Sequence, residues 1–209
     1  MDRKELEKKM QQEGRLPPGQ SLTTKFPVLH YGAVPDFDPQ TWTFRIFGEV
    51  EEEKTWNWKE FQQLPRVEAS FDLHCVTRWS KFDTNWEGIS LAVLIHEGII
   101  RPTQKAQFVI QHAEGGFSAN LPMEVITSDR FLLATHFEGE PITPDHGFPL
   151  RGLVGAIPGN RKSKDVYLWK GAKWLRALEL SSSDKPGFWE QVGYHNEGDI
   201  WKEERMANQ

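Results

Sequence analysis

Cys75 is the single cysteine of this 209-residue chain, and it follows a stretch in which Val67, Ala69, Phe71 and Leu73 alternate with Glu68, Ser70, Asp72 and His74. That period of two predicts a half-buried strand ending at the thiol, which then points inward at an element boundary, where functional groups collect. The next residues, Thr77-Arg78-Trp79-Ser80-Lys81, are polar. Arg78 would favour the thiolate, the form that attacks electrophiles and binds metals. A buried cysteine packed as a small hydrophobe has the same spacing, so spacing leaves both readings open.

A second concentration of chemistry lies further on. Arg151, Arg161, Lys162, Lys164, Lys170, Lys173 and Arg176 stand against Asp165 alone, a local excess of +6 in a chain of net charge −5. Gly152, Gly155, Gly159 and Gly171 punctuate the same stretch. Glycine lets backbone N–H groups approach an anion closely while lysine and arginine neutralise it, so a phosphate-bearing ligand fits there. A solvated basic loop fits the composition equally well. Neither a Walker A pattern nor Gly-x-Gly-x-x-Gly occurs, which disfavours ATP and NAD folds. The seven histidines include no His-Glu-x-x-His and no close His-x-His pair, so a histidine-only zinc site is not expected. His146 opens His-Gly-Phe-Pro-Leu-Arg just before the basic stretch and is the histidine best placed for a ligand, with a structural turn as the alternative. No Gly-x-Ser-x-Gly elbow marks a serine hydrolase.

The elements that must position these residues are short. Thr41–Phe47 alternates and reads as a strand, Asn57 caps a short helix ending before Pro65, and Ser90–Gly98 carries a cap, a helical apolar face and a glycine stop. Further strands are expected at 107–112, 131–136, 150–156 and 172–180. Strands and short helices follow one another without the regular alternation of a doubly wound parallel sheet, so the fold class is mixed α+β. Residues 1–25 carry ten charges and no aromatic residue and read as a polar N-terminal arm outside the core, with 26–209 forming one continuous domain. One cysteine rules out an intrachain disulfide framework and any Cys-rich metal cluster built by this chain alone. The acidic balance argues against a general nucleic-acid or anionic-membrane binder. No apolar segment is long enough to span a bilayer and none resembles a signal peptide, so the cytoplasm is the expected address. The 25 aromatic residues, in a chain of mean hydropathy −0.59, predict an aromatic core.

Taken together, these segments resemble the molybdopterin-binding domain of the sulfite oxidase family, especially small bacterial members related to the catalytic subunit of protein-methionine-sulfoxide reductase. The resemblance runs from about Phe26 to Met206. It is carried by Phe26-Pro27-Val28-Leu29-His30-Tyr31-Gly32 with Val34-Pro35, by His74-Cys75-Val76-Thr77-Arg78-Trp79-Ser80, and by His146-Gly147-Phe148-Pro149-Leu150-Arg151. Lys170-Gly171-Ala172-Lys173-Trp174 and the C-terminal Pro186-Gly187-Phe188-Trp189-Glu190 with Gly193-Tyr194-His195-Asn196 complete it.

The resemblance implies that Cys75 is the one protein ligand to molybdenum, the other sulfurs coming from the dithiolene of a single molybdopterin. A soft thiolate suits such a sulfur-rich set. It also implies that His30, Tyr31, His112, His146, Arg151, Gly171, Ala172 and Lys173 line the pterin and its phosphate. The activity implied is oxygen-atom transfer to or from a small substrate as Mo(IV) and Mo(VI) interconvert, with an external electron-transfer partner because the family's haem domain is missing. Candidate walls of the substrate mouth are Trp79, Phe117 and Asn120, and Arg78 is a candidate for orienting an anionic substrate. Sulfite oxidases carry a tyrosine and an arginine where Phe117 and Leu29 stand, so sulfite is not the expected substrate. The longer 155–165 loop is a departure that bears on the register of the phosphate contacts. The competing expectation is a non-catalytic module of the same fold that binds a phosphorylated small molecule or a protein partner.

Overall fold

The computed structural model describes residues 2–161 and 165–208. Lys162 and Lys164 of the basic stretch lie outside the described residues. The fold is α+β, two mixed sheets joined by short helices.

The first sheet is built on a long central strand, β5 (Trp79–Ile89). Antiparallel to it on one side runs β4 (Val67–His74), and on the other β8 (Phe131–Phe137), which pairs in turn with β10 (Arg151–Val154). The short strands β1 (Ser21–Leu22) and β9 (Glu140–Pro141) complete it, β1 lying parallel to the start of β5. The second sheet has the order β3 (Lys54–Asn57), β2 (Thr43–Gly48), β11 (Leu175–Ser181), β6 (Phe108–Ala113), β7 (Ser118–Pro122). There β2 and β11 are parallel and the other pairs antiparallel.

Alternation explains how one strand serves two cores. On β8, Phe131 and Leu133 join the main core with Phe44, Ile46, Phe61, Leu175 and Leu178, whereas Leu132 and Ala134 face a second cluster with Phe71, Leu73, Trp86 and Leu153. Successive side chains point to opposite faces. A strand covered on both sides therefore reads as a continuous apolar run rather than a half-buried alternation. Each fully buried Phe or Leu contributes roughly 1.5–3 kcal/mol relative to exposure. Apart from the ten-residue helix at the N-terminus, the helices are single turns or little more: α2 (Trp58–Phe61) is capped by Asn57, whose side chain accepts from Glu60 N at 3.0 Å. The helix α3 (Leu91–His96) buries Leu91 and Leu94, and α4 (Met123–Ile126) and α5 (Phe188–Gln191) are four residues each.

The polar run from Thr77 continues from Trp79 as β5, whose exposed and buried positions mix charged with apolar residues. One expectation is corrected: the first 25 residues do not lie wholly outside the core. After α1 (Arg3–Gln12), Met10 and Leu16 are buried, Gln20 is 4 % exposed, and β1 pairs with β5. Arg15 makes a bidentate pair with the buried Asp72, at 2.6 and 2.8 Å. Charge count misled because this segment is held by ion pairs and backbone pairing rather than by an apolar face. The strand before the thiol is half-buried only as far as Ser70, since Asp72 is buried against Arg15 of the arm and His74 against Ser80 of β5.

Candidate functional site

A cavity of about 270 Å³ opens where the turn between β4 and β5, the turn before β10, the turn before β11 and two chain segments, 26–31 and 188–194, converge. Cys75 lies in its wall and is 7 % exposed. The thiol sits in a tight turn: Cys75 N donates to Trp79 O at 2.9 Å, Arg78 N donates to Cys75 O at 3.0 Å, and Arg78 takes a positive φ of 71°. Thr77 Oγ1 is 3.1 Å from Cys75 Sγ. The arginine after the thiol is exposed and outside the cavity lining.

The inner end of the cavity is cationic. His146 closes a single helical turn, Pro144–His146, and its ring is stacked on Phe26 at 4.0 Å. Gly147 follows at φ 114°, and a Cβ there would lie 3.1 Å from Arg151 Cβ and 3.2 Å from Lys173 Cα. That conformation and that closeness bring His146, Arg151 and Lys173 together. Arg151 Nη1 donates to His146 O at 3.0 Å and Lys173 Nζ to Asp145 O at 2.7 Å. Burial lowers the Arg151 guanidinium to about 10. Burial and then the adjacent Arg151 lower the Lys173 ammonium to about 7. Burial, Lys173 and Arg151 hold the His146 imidazole down at about 4. Three groups that disfavour one another's charge share one pocket end, and two of its nitrogens, His146 Nδ1 and Arg151 Nε, are buried without a hydrogen-bond partner among the described residues. An anion would relieve both conditions.

The outer end is aromatic. Tyr31 meets Phe188 at 4.7 Å and Trp189 at 6.4 Å, Phe117 meets Phe188 at 5.6 Å, and Tyr194 meets Trp169 and Trp189 at 5.3 and 5.2 Å. Tyr31 and Leu29 are 59 % and 52 % exposed, so this end faces outward.

One buried polar network joins the two ends. Lys170, three residues before Lys173, donates from Nζ to Asn120 Oδ1 at 2.8 Å, to Glu190 Oε1 at 2.7 Å and to Asn196 O at 2.8 Å. Its side chain is 1 % exposed and that of Glu190 2 %. Gln111 braces the same turn from β6, donating to Lys170 O at 2.6 Å and accepting from Ala172 N at 3.0 Å. Gly171 is confined to glycine by contact: a Cβ would stand 2.3 Å from Gly152 O.

Of the residues singled out from sequence, the structure brings His30, Tyr31, Cys75, Trp79, Phe117, His146, Arg151, Gly171 and Lys173 to this one cavity. Ala172 is fully buried behind it. His112 is not in the lining; its Nε2 lies 2.9 Å from Glu179 Oε2 on the neighbouring strand. Asn120 is spent on Lys170, Asp184 and Asn196. The basic excess is likewise divided: Arg176 bonds Glu114 at 2.8 Å, Arg161 lies 4.2 Å over Trp201, and only Arg151 and Lys173 of the described members face the cavity. Sequence reasoning missed Phe26, Thr77, Trp169 and Gln111 as parts of the site. Thr77, two residues past the thiol, had a positional signal; Gln111, in the middle of an apolar strand, had only its polarity.

Among the described residues no helix is long and apolar enough to cross a membrane. The model of the oxidoreductase molybdopterin binding domain family matches residues 31–189. The chain is 40 % identical over 197 residues to the "uncharacterized oxidoreductase YuiH" of Bacillus subtilis, covering 94 % of each protein. It is 22 % identical to the putative protein-methionine-sulfoxide reductase subunit YedZ1 of Azospira oryzae, covering 85 % of this chain and 64 % of that one. It is 25 % identical to a sulfite oxidase of Arabidopsis thaliana, covering 79 % and 48 %. The fold is that of the sulfane dehydrogenase SoxCD of Paracoccus pantotrophus, with TM-score 0.62, 17 % identity, and coverage of 78 % of this chain and 43 % of that one. Nothing in these relatives supports a non-catalytic module.

Proposed function

Because the chain belongs to the oxidoreductase molybdopterin-binding domain family and is thereby a molybdenum-cofactor-dependent oxidoreductase, we propose that it transfers an oxygen atom to or from a small substrate other than sulfite, with Cys75 as the protein's one metal ligand. The chain's donors fit that cofactor on three observations. The lone thiol lies in the cavity wall, a soft donor suited to a metal already held by two dithiolene sulfurs. Arg151, Lys173 and His146 make a cationic end with two unpartnered buried nitrogens, suited to a terminal phosphate. Gly147 and Gly171 keep the backbones of both turns closer than a side chain would permit. When bound, the cofactor would supply a two-electron redox centre that exchanges an oxygen atom with the substrate.

The protein's own part is to bind and to exclude. Lys173 and Arg151 hold the anionic tail, Cys75 fixes the metal end, and Trp79, Phe117 and Tyr31 shut water out of the approach. Phe117 and Leu29 both line the cavity, where a sulfite oxidase would present a hydroxyl and a guanidinium. Arg151 and Lys173, the charged residues of the lining apart from its histidines, belong to the phosphate end. Among the described lining residues that leaves no arginine or lysine at the aromatic mouth to neutralise an oxyanion, and this is the observation that carries the choice against sulfite. Each turnover moves two electrons, so a separate electron carrier must return or remove them. A cytoplasmic address belongs to this reading and rests on the single cysteine.

Protein purified from a host that makes the cofactor is expected to contain about one molybdenum and one pterin per chain, and Cys75→Ser to lower the metal content by about tenfold or more while the fold persists. Wild-type protein that takes up neither metal nor pterin in such a host would overturn the proposal. Turnover of sulfite in preference to neutral oxygen donors or acceptors would overturn its substrate clause.

A further inference from the structure

The turn that carries Cys75 is gripped from below by side chains from opposite ends of the chain. Gln20, 4 % exposed, donates from Nε2 to Cys75 O at 3.1 Å and accepts from Ser80 Oγ at 3.3 Å. Ser80 Oγ in turn lies 2.8 Å from His74 Nδ1. Arg205, 7 % exposed, donates from Nη1 to Val76 O. Its Nε and Nη2 are buried without a hydrogen-bond partner among the described residues, and the nearest carboxylate oxygen, on Glu203, is 3.8 Å from Nη2. The guanidinium also lies 5.3 Å over the ring of the fully buried Tyr167. Burying a guanidinium with two of its nitrogens unbonded is unfavourable, so its one strong bond, to the residue after the thiol, calls for a reason.

We propose that Gln20 and Arg205 are positioning residues that set the geometry and electron donation of the Cys75 thiolate through the carbonyls of Cys75 and Val76. The inference rests on the reading of Cys75 as metal ligand. A thiolate on a five-residue turn is only as rigid as that turn, and the turn's own backbone bonds, Cys75 N to Trp79 O and Arg78 N to Cys75 O, leave its second carbonyl open. Arg205 closes that gap, and Gln20 adds a second bond to the Cys75 carbonyl. They orient successive peptide units and draw electron density away from the thiolate, and the cation of Arg205 favours the negative sulfur. Neither residue lines the cavity, so both act on the thiolate from behind its turn.

The test uses molybdenum-loaded full-length protein with Gln20→Met, Arg205→Met, Gln20→Asn and Arg205→Lys, compared with wild type. Two readouts are taken besides activity: the thiolate-to-metal absorption band, and the ratio of oxidised to reduced metal at a fixed solution potential, followed by the Mo(V) paramagnetic signal. The Met variants are expected to keep metal and pterin but to displace the band and to change the ratio by roughly threefold or more, the size one net hydrogen bond carries when it favours one state of a pair. Arg205→Lys, which keeps the charge, is expected to return most of the change. Should a Met variant fail to fold, Gln20→Asn and Arg205→Lys carry the same comparison with smaller displacements. Variants with normal metal content, an unmoved band and an unmoved ratio, differing only in melting temperature, would overturn the inference and leave the proposed function standing. A wild-type protein without molybdenum would instead overturn the function, and the inference with it.

Discussion

Lys170 and Lys173 stand three residues apart on one turn, yet they serve opposite ends of the cavity. Lys170 points into a closed network with Glu190, Asn120 and the Asn196 carbonyl and is spent on structure. Among the described residues Lys173 bonds only the Asp145 carbonyl, and it shares its surroundings with Arg151, so its charge is available and disfavoured at once. The same division runs through the site. The outer end is a set of aromatic rings anchored by a satisfied lysine, and the inner end is a set of cations left for something to satisfy. Charge alone does not make an anion site; a cation without its own carboxylate does.

The largest effect expected from breaking this contrast is at Lys170. Lys170→Met leaves Glu190 buried without a cation, and the loss of stability should be about 3–5 kcal/mol by denaturant melts. Lys173→Met removes a like-charge neighbour of Arg151 and should change stability of the metal-free protein by less than about 1 kcal/mol. A comparable loss in both variants would show that the two lysines do the same work. Next in size is Gly147→Ala, which places a side chain on a φ of 114° against Arg151 and Lys173. It should cost about 1–3 kcal/mol and weaken pterin retention with no change at the aromatic end, as read by melts and pterin content.

The pH dependence sharpens the contrast further. Lys173 ionises near 7 in the free protein because burial and Arg151 disfavour its proton, and a bound anion must raise that value. Affinity for sulfate, whose charge is constant, should therefore be fully developed below pH 7 and fall as pH rises above it, toward about tenfold per unit. Lys173→Met should bind sulfate weakly and without that slope. Titration calorimetry at pH 6, 7 and 8 reads the difference, and a flat profile in wild type would show that Lys173 does not meet the anion. The smallest effect is expected at the rim. Phe117→Tyr adds one hydroxyl to a half-buried ring and should alter stability by less than about 0.5 kcal/mol while leaving metal content unchanged. If it alone opened turnover of sulfite, the aromatic mouth would be the gate of specificity.

Much of this was legible along the chain. The strands at 43–48, 67–74, 108–113, 131–137 and 175–181 follow from alternating or continuous apolar residues, and the Asn57 cap from its place before a short helix. The long strand β5 was not legible, because Lys81, Asp83, Asn85 and Glu87 alternate with Ser80, Phe82, Thr84 and Trp86 and offer few apolar positions to either face. The N-terminal segment was misread for a related cause: Arg15 and Gln20 bind by polar contacts whose partners lie more than fifty residues away. His112 was carried to the cavity by likeness of position, but its side chain bonds Glu179 and stays outside.

By itself the sequence determined the chemistry available: one thiol, a glycine-spaced set of cations, an aromatic surplus, and a turn around His146 that could face an anion. Residue type and local spacing suffice for that, since propensity and reactivity are properties of short segments. Only the tertiary structure decided which cation is free and which is paired, that Tyr31 and Trp189 close one mouth from opposite ends of the chain, and that Gln20 and Arg205 meet beneath Cys75. Those facts depend on contacts between residues distant in sequence, and the burial that shifts Lys173 and silences Lys170 exists only once both sheets have assembled around them.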